Sequence, residues 1–315
     1  MDLRQIRYFV AACEEGSLSA AAVRLNCTAS GVSQQMSALE ARLRTGLLER
    51  TRRGVVPTAA GRRFYDRCLA ILKAVSEAEI ELEDFDAGLC GSVSAGFAPG
   101  LAKSILPQAL ARFTREFPRV DIDIASGSAD TLVSATATGE LDFYVGQYSA
   151  PQIGLSEQVI GKFPVALLSG TRCRFLPMKP LNLAEVPPLK LFTPSAANSL
   201  RPKIDDAIRH GEIVMERRIS ISSLSAGLEF LNQTDWSAIL PFWICLPEIS
   251  GGRLSVNPVI SPELSVEVGL IHQVSQPLSR PAQILYSYFL QELKRCEEEW
   301  HRIVDPALSN TNRSV

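Results

Sequence analysis

The chain has 315 residues, 21% of them charged, and its 32 Lys/Arg against 34 Asp/Glu leave a net charge of −2. No apolar run approaches the roughly 18 residues of a membrane helix, no secretory h-region opens the chain, and the seven Cys contain no CxxC pair, so a reducing, cytoplasmic setting is expected. His210, His272 and His301 share no metal-ligand spacing with one another or with Cys, and Walker, GxGxxG and GxSxG stretches are absent, so no metal, cofactor or catalytic site is expected.

The first segment, "LRQIRYFVAACEEG", spaces Leu3, Ile6, Phe9 and Val10 as one face of a helix. "SLSAAAVRLN" reads as a short second helix with Ser19 as candidate N-cap. Thr28 then caps a third, in which Val32, Met36, Leu39 and Leu43 form an inward stripe. Opposite lie Ser30, Gln34, Ser37 and Ala41, flanked by Ser33 and Ala38, a low face that is polar but uncharged. Such a face fits a buried contact with another protein element, or close approach to a major groove, where Gln meets the N6/N7 edge of adenine bidentately. Two helices across a short turn favour the groove. "LLERTRRGVVPTAAG" follows, with Arg50, Arg52 and Arg53 just before Gly54, the pattern of a two-stranded wing carrying guanidinium groups to phosphates. Residues 1–67 hold eleven Arg against six Asp/Glu, so the positive charge is local to this end.

On these residues the segment "GSLSAAAVRLNCTASGVSQQMSALEARLRTGLLERTRRGVVPTAAG" resembles the winged helix-turn-helix of LysR-type transcriptional regulators. The Ala21-Ala22 pair, Leu25, Ser33, Leu39-Glu40 and the Thr58 to Gly61 ending carry the resemblance, while Leu48 and Pro57 depart from the family's usual Phe and Leu. It implies double-stranded promoter DNA as partner. Ser30, Ser33, Gln34, Gln35 and Ser37 would face the bases, and Arg50, Arg52, Arg53 and Thr58 the backbone.

Beyond Gly61, Phe64, Cys68, Ile71, Val75, Ala78, Leu82, Phe85 and Leu89 recur at steps of four and three, a heptad seam that predicts pairing with a second copy or packing on the chain's own domain. Acidic residues crowd its C-terminal end, from Glu77 to Asp86. The resemblance implies a dimerising linker here.

From Ser92 strands alternate with helices, as in open α/β sheets. Strands are expected at 92–98, 120–127, 141–147, 163–170, 190–195, 219–223, 237–241 and 265–272, and helices at 102–118, 131–139, 201–210, 224–233 and 281–299. Ligands of such sheets sit beyond the carboxyl ends of the strands, which nominates Pro99, Gly100, Leu101, Ser128, Pro194, Ser195, Ser222 and Ser223 as effector contacts. Each Ser also fits an N-cap role. Arg201 and Lys203 hint at an anionic ligand, while Asp205, Asp206 and Asp235 read as surface or capping groups and Cys27 as a buried thiol or a redox sensor. This half resembles the LysR effector domain, in which a small molecule between two periplasmic-binding-protein-like subdomains alters a dimer or tetramer and its contact with RNA polymerase.

The expected architecture is α+β and multidomain. A winged helix-turn-helix over 1–58 is followed by a long dimerisation helix over 59–89, a two-subdomain α/β effector domain over 90–300 and an unstructured tail over 301–315. The resulting function is effector-modulated, sequence-specific DNA binding without enzyme activity. The alternative is a small-molecule binder or metabolic enzyme with a helical dimerisation module.

Overall fold

The computed structural model describes residues 1–52, 54–83, 89–147, 153–170, 172–173, 175–193 and 200–311. Arg53, Phe85, Pro194 and Ser195 lie outside these.

The N-terminal elements are α1 (Leu3–Glu15), α2 (Leu18–Arg24), α3 (Ala29–Leu43), β1 (Leu48–Thr51), β2 (Gly54–Pro57) and α4 (Ala59–Glu83). Asp2 caps α1 by accepting from Gln5 N, and Gly16 ends it in the left-handed conformation. That early stop moves the start of α2 forward. Its cap is therefore Ser17, which accepts from Ala20 N, and the predicted cap Ser19 lies inside the helix. Thr28 caps α3 as expected, its hydroxyl accepting from Gly31 N at 3.2 Å.

Ile6, Phe9, Val10, Val32, Met36 and Leu39 form the core of this unit together with Cys68, Leu69 and Leu72 of α4. Phe64 packs against Phe9 with ring centroids 5.2 Å apart. The first turns of the predicted seam are thus turned into the chain's own domain, because the open side of α1 and α3 needs an apolar cover. Further along the seam Ile71, at 36%, and Ala78 are exposed, while Val75 is half-buried near Val10 and Ala11 of α1. The buried Glu14 carboxylate ties three helices, pairing with Arg24 at 2.6 Å and accepting from the Tyr65 hydroxyl at 2.9 Å. Burial pushes its pKa up.

The C-terminal half runs β3 (Gly91–Phe97), α5 (Pro99–Ser104), α6 (Leu106–Glu116), β4 (Val120–Ser126), α7 (Ala129–Thr138), β5 (Phe143–Gly146), β6 (Leu155–Gly170), β7 (Leu181–Asn182) and β8 (Leu189–Thr193). It continues with α8 (Leu200–Arg209), β9 (Met215–Ser220), α9 (Leu224–Asn232), β10 (Ser237–Pro241), α10 (Phe242–Gly251), β11 (Leu254–Ser261), β12 (Ser265–Gln273) and α11 (Arg280–Thr311). The sheet order is β4-β3-β5-β12-β6-β10-β8-β9, with β11 also pairing β6 and β7 pairing β11. β6 pairs β12 antiparallel over Leu155–Pro164, then β10 over Val165–Ser169 and β11 over Ala166–Gly170. One strand therefore belongs to two subdomains.

Several expectations change. The helix expected over 102–118 is two, α5 and α6, since Pro107 opens the second after a break at Ile105. β6 begins eight residues before the expected Phe163, its solvent-facing first half carrying Glu157 and Gln158 rather than a continuous apolar run. α10, β7 and β11 were not expected. α11 continues through the predicted tail to Thr311, because Trp300 and Val304 are buried and Trp300 packs on Phe242 at 5.8 Å.

The wing depends on Glu40, whose Oε1 accepts from the backbone N–H groups of Leu47 at 2.7 Å and Leu48 at 3.0 Å. Glu40→Ala leaves both donors unpartnered beside the buried Leu47 and should cost about 2 kcal/mol in urea unfolding. Glu40→Gln, which still presents an acceptor, should cost less. Stability of Glu40→Ala equal to that of the parent would show that these bonds contribute nothing.

Candidate nucleic-acid interface and ligand cleft

On α3 the stripe Val32, Met36 and Leu39 is buried, which turns Ser30, Gln34 and Ser37 outward, all exposed. Ser33 and Gln35 are half-buried at the margins. The Gln35 amide oxygen accepts from Gln5 Nε2 at 3.1 Å, so this side chain braces α3 on α1. Gln34 is left with its amide open. The Ser30 hydroxyl donates to Thr28 Oγ1 at 3.3 Å and retains acceptor capacity.

Arg50 and Arg52 are exposed on the wing, where Leu48–Thr51 pairs with Gly54–Pro57. Two close approaches hold the wing against the helices. Gly54 has φ +134°, Val55 N donates to Gly16 O at 2.8 Å, and a Cβ on Gly54 would lie 2.1 Å from that same oxygen. Gly61 is equally confined, with a Cβ falling 2.1 Å from Leu47 O. Thr58, expected on the DNA backbone, is half-buried and also bonds within the domain. Its hydroxyl donates to Gly46 O at 2.8 Å and accepts from Gly61 N at 2.9 Å, which makes it the cap of α4.

The cleft lies between the subdomains, and its cavity has a volume of about 310 Å³. It opens where the strands of both sheets end. Pro99, Gly100, Leu101 and Ser128 line it from one side and Ser222 from the other. Ser223 does not line it and caps α9, accepting from Ala226 N at 3.3 Å. Ser128 combines both roles, since its hydroxyl also accepts from Thr131 N.

Tyr144, Gln147, Phe192, Trp243, Ile244 and Val268 also line the cavity and were not nominated from the sequence. Gln147 ends the expected strand 141–147 and Trp243 lies just past the expected strand 237–241, so the end-of-strand rule reaches them. Tyr144 and Val268 project from within strands and become visible only in three dimensions.

Burial, and secondarily the Asp130 carboxylate, push the Tyr144 phenol up. Its hydroxyl donates to Gln147 O at 3.0 Å. Arg201 and Lys203 do not support the anionic hint. Arg201 bonds Asp205 at 2.9 Å and Thr193 Oγ1 at 3.1 Å, and Lys203 donates to Ser265 O at 2.9 Å. Asp205 and Asp235, taken as surface or capping groups, are ion-paired, Asp205 with Arg201 and Arg218 and Asp235 with Lys190.

Residues 3–62 match the family model described as bacterial regulatory helix-turn-helix protein, lysR family, and residues 86–294 match the LysR substrate binding domain. The nitrogen assimilation regulatory protein nac of Escherichia coli K12 is 34% identical over 284 residues, spanning 90% of this chain and 92% of that protein. Its counterpart from Klebsiella aerogenes is 31% identical, spanning 94% and 96%. A peroxide-bound OxyR variant of Corynebacterium glutamicum shares the fold with a TM-score of 0.54 at 23% identity, over 98% of this chain and 97% of that one.

Gly54→Ala must move either the wing or the end of α1. It is expected to lower affinity for duplex DNA about ten-fold, or about 1.4 kcal/mol, in an anisotropy titration. Unchanged affinity would show that the seating of the wing does not matter for binding.

Proposed function

The chain belongs to the LysR family of bacterial transcriptional regulators, and from that premise we propose that Gln34, with Ser30, Ser33 and Ser37 around it, reads base edges while Arg50, Arg52 and Arg53 hold phosphates. It is a DNA-binding regulator with an effector-binding domain. The observation that carries the residue assignment is the exposed, uncharged face of α3 beside an arginine-bearing wing, on a segment where eleven Arg outnumber six acidic residues. A charged face would keep its own water shell in a groove, whereas Gln and Ser exchange water for base edges at little cost. The wing guanidinium groups supply the salt-dependent, sequence-independent share of affinity.

The outward part of α4, from Ile71, pairs with a second copy and sets the spacing of two reading helices on a pseudo-palindromic site. The inter-subdomain cavity receives the effector, because it gathers strand ends from both sheets at one place. Regulation then acts through the arrangement of the oligomer and its contact with RNA polymerase in the cytoplasm.

The deciding experiment is fluorescence anisotropy of the intact protein with the intergenic duplex beside its own gene, against a scrambled duplex, at two salt concentrations. Preference for the native duplex that survives higher salt is the expected result. Gln34→Ala should then lose about 1–3 kcal/mol of discrimination at one base pair, while Arg52→Ala should weaken all duplexes alike and lower the salt slope by about one. Unchanged site preference in Gln34→Ala overturns the assignment of the reading residue. Ile71→Glu should shift the protein toward monomer in sedimentation, and an unchanged oligomer would remove the seam from the interface.

A further inference from the structure

The two halves of the chain touch at the tip of one strand pair. β6 and β12 pair from Leu155 and Gln273 onward, and Val274 N extends the ladder by donating to Gly154 O at 2.9 Å. Val274 is half-buried and packs against the core of the N-terminal unit. Gly154 lies so close to Glu14 of α1 that a Cβ there would stand 2.7 Å from the carboxyl carbon. Glu14 cannot swing aside freely, because Arg24 and the Tyr65 hydroxyl hold it. The contact also joins two elements of the effector domain, since the buried Gln273 amide donates to Ala137 O of α7 at 2.7 Å. Both elements reach the inter-subdomain cleft as well, through Ser128, the cap of α7, and Val268 of β12.

Beside this contact the two halves share a cavity of about 320 Å³. Arg7, Arg24 and Val75 line it from the N-terminal unit, and Gly139, Ser275 and Gln276 from the effector domain. Glu14 and Glu15, the partners of Arg24, do not line it. Val75 is the seam position between Ile71 and Ala78, and it is half-buried where those two are exposed. A partner helix on this seam packs with its axis about 8–10 Å from that of α4 and takes every seam position into the contact. In the docked chain the effector domain stands on the Val75 side of α4.

We propose that the docking of the effector domain on its own N-terminal unit is autoinhibitory, because it takes up the Val75 side of α4 and must release before two chains pair along the whole seam. This rests on the reading of α4 as the pairing helix. The reading face of α3 stays exposed in the docked chain, so docking acts on the pairing of two chains and leaves the base-reading residues uncovered. A change that favours the docked state draws population away from the paired one.

The test uses the full chain. Sedimentation gives the dimer dissociation constant, anisotropy the affinity for the intergenic duplex, and hydrogen exchange of residues 8–14 of α1 reads the docking, since a change at the effector-domain tip reaches α1 only through the contact. Val274→Glu sets a carboxylate against the apolar core and beside Glu14. It should raise exchange in α1 and tighten both dimerisation and DNA binding about five-fold or more. Gln276→Glu faces Arg7 and Arg24 and should move all three readouts the other way, with thermal unfolding reporting that each variant is folded. Unchanged exchange in α1 on Val274→Glu would overturn the docking itself. Raised exchange with dimerisation and DNA affinity unchanged or weakened would overturn autoinhibition. Ile71→Glu runs alongside: an unchanged oligomer there would remove the pairing reading of α4 and the proposal with it. A monomeric Ile71→Glu together with dimerisation indifferent to Val274→Glu and Gln276→Glu would remove autoinhibition alone.

Discussion

The C-terminal half depends on a single shared strand. β6 is 16 residues long, and its neighbours change near Pro164 and Val165 from β12 to β10 and β11. Backbone hydrogen bonding in a sheet is obligatory along the buried stretch, so this change of partners forces two sheets to grow from one strand. The parallel strands on either side then point their carboxyl ends at a common space. The cavity follows from this topology, and its residues lie where β3, β4, β5, β8, β9 and β10 stop.

The N-terminal half rests on a different constraint, backbone contact too close for a side chain. Gly54 against Gly16 O and Gly61 against Leu47 O fix the wing at both ends, and the Glu40 carboxylate holds the N–H groups between them. Glu40 reaches back from α3, so the reading helix and the wing are one mechanical piece. A wing that merely followed α3 in sequence would carry its arginines to no defined place. Seated in this way, the exposed Arg50 and Arg52 are carried on the same piece as the exposed Gln34.

The parts that were legible in the sequence are those in which local chemistry and tertiary packing agree. The stripe Val32, Met36, Leu39 and the Thr28 cap are read correctly from spacing alone, because α3 is amphipathic and capped by its own residues. Ser17 and Ser19 are chemically equivalent as caps, and only the left-handed Gly16 decides between them. α10 is illegible in the sequence because "FWICLPEISG" is apolar nearly all round with a Pro inside, a pattern without helical periodicity. Trp243, which lines the cavity, lies in this stretch. Thr58 and Gln35 match a recognition pattern and, half-buried, also bond within the domain, a second role that the pattern does not announce.

The seam on α4 shows why a heptad does not by itself identify a partner. A strict 3.5-residue repeat drifts slowly around a helix of 3.6 residues per turn, so one stripe can serve two surfaces in succession. Phe64 and Cys68 meet the side of the repeat covered by α1, whereas Ile71 and Ala78 are exposed and Val75 between them is half-buried. The buried Leu69 and Leu72 keep the intervening turns bound to the helix-turn-helix core. α4 therefore has no hinge where it leaves that core. The direction in which α4 points, and hence the surface it offers from Ile71 onward, is set by the same apolar contacts that orient α3.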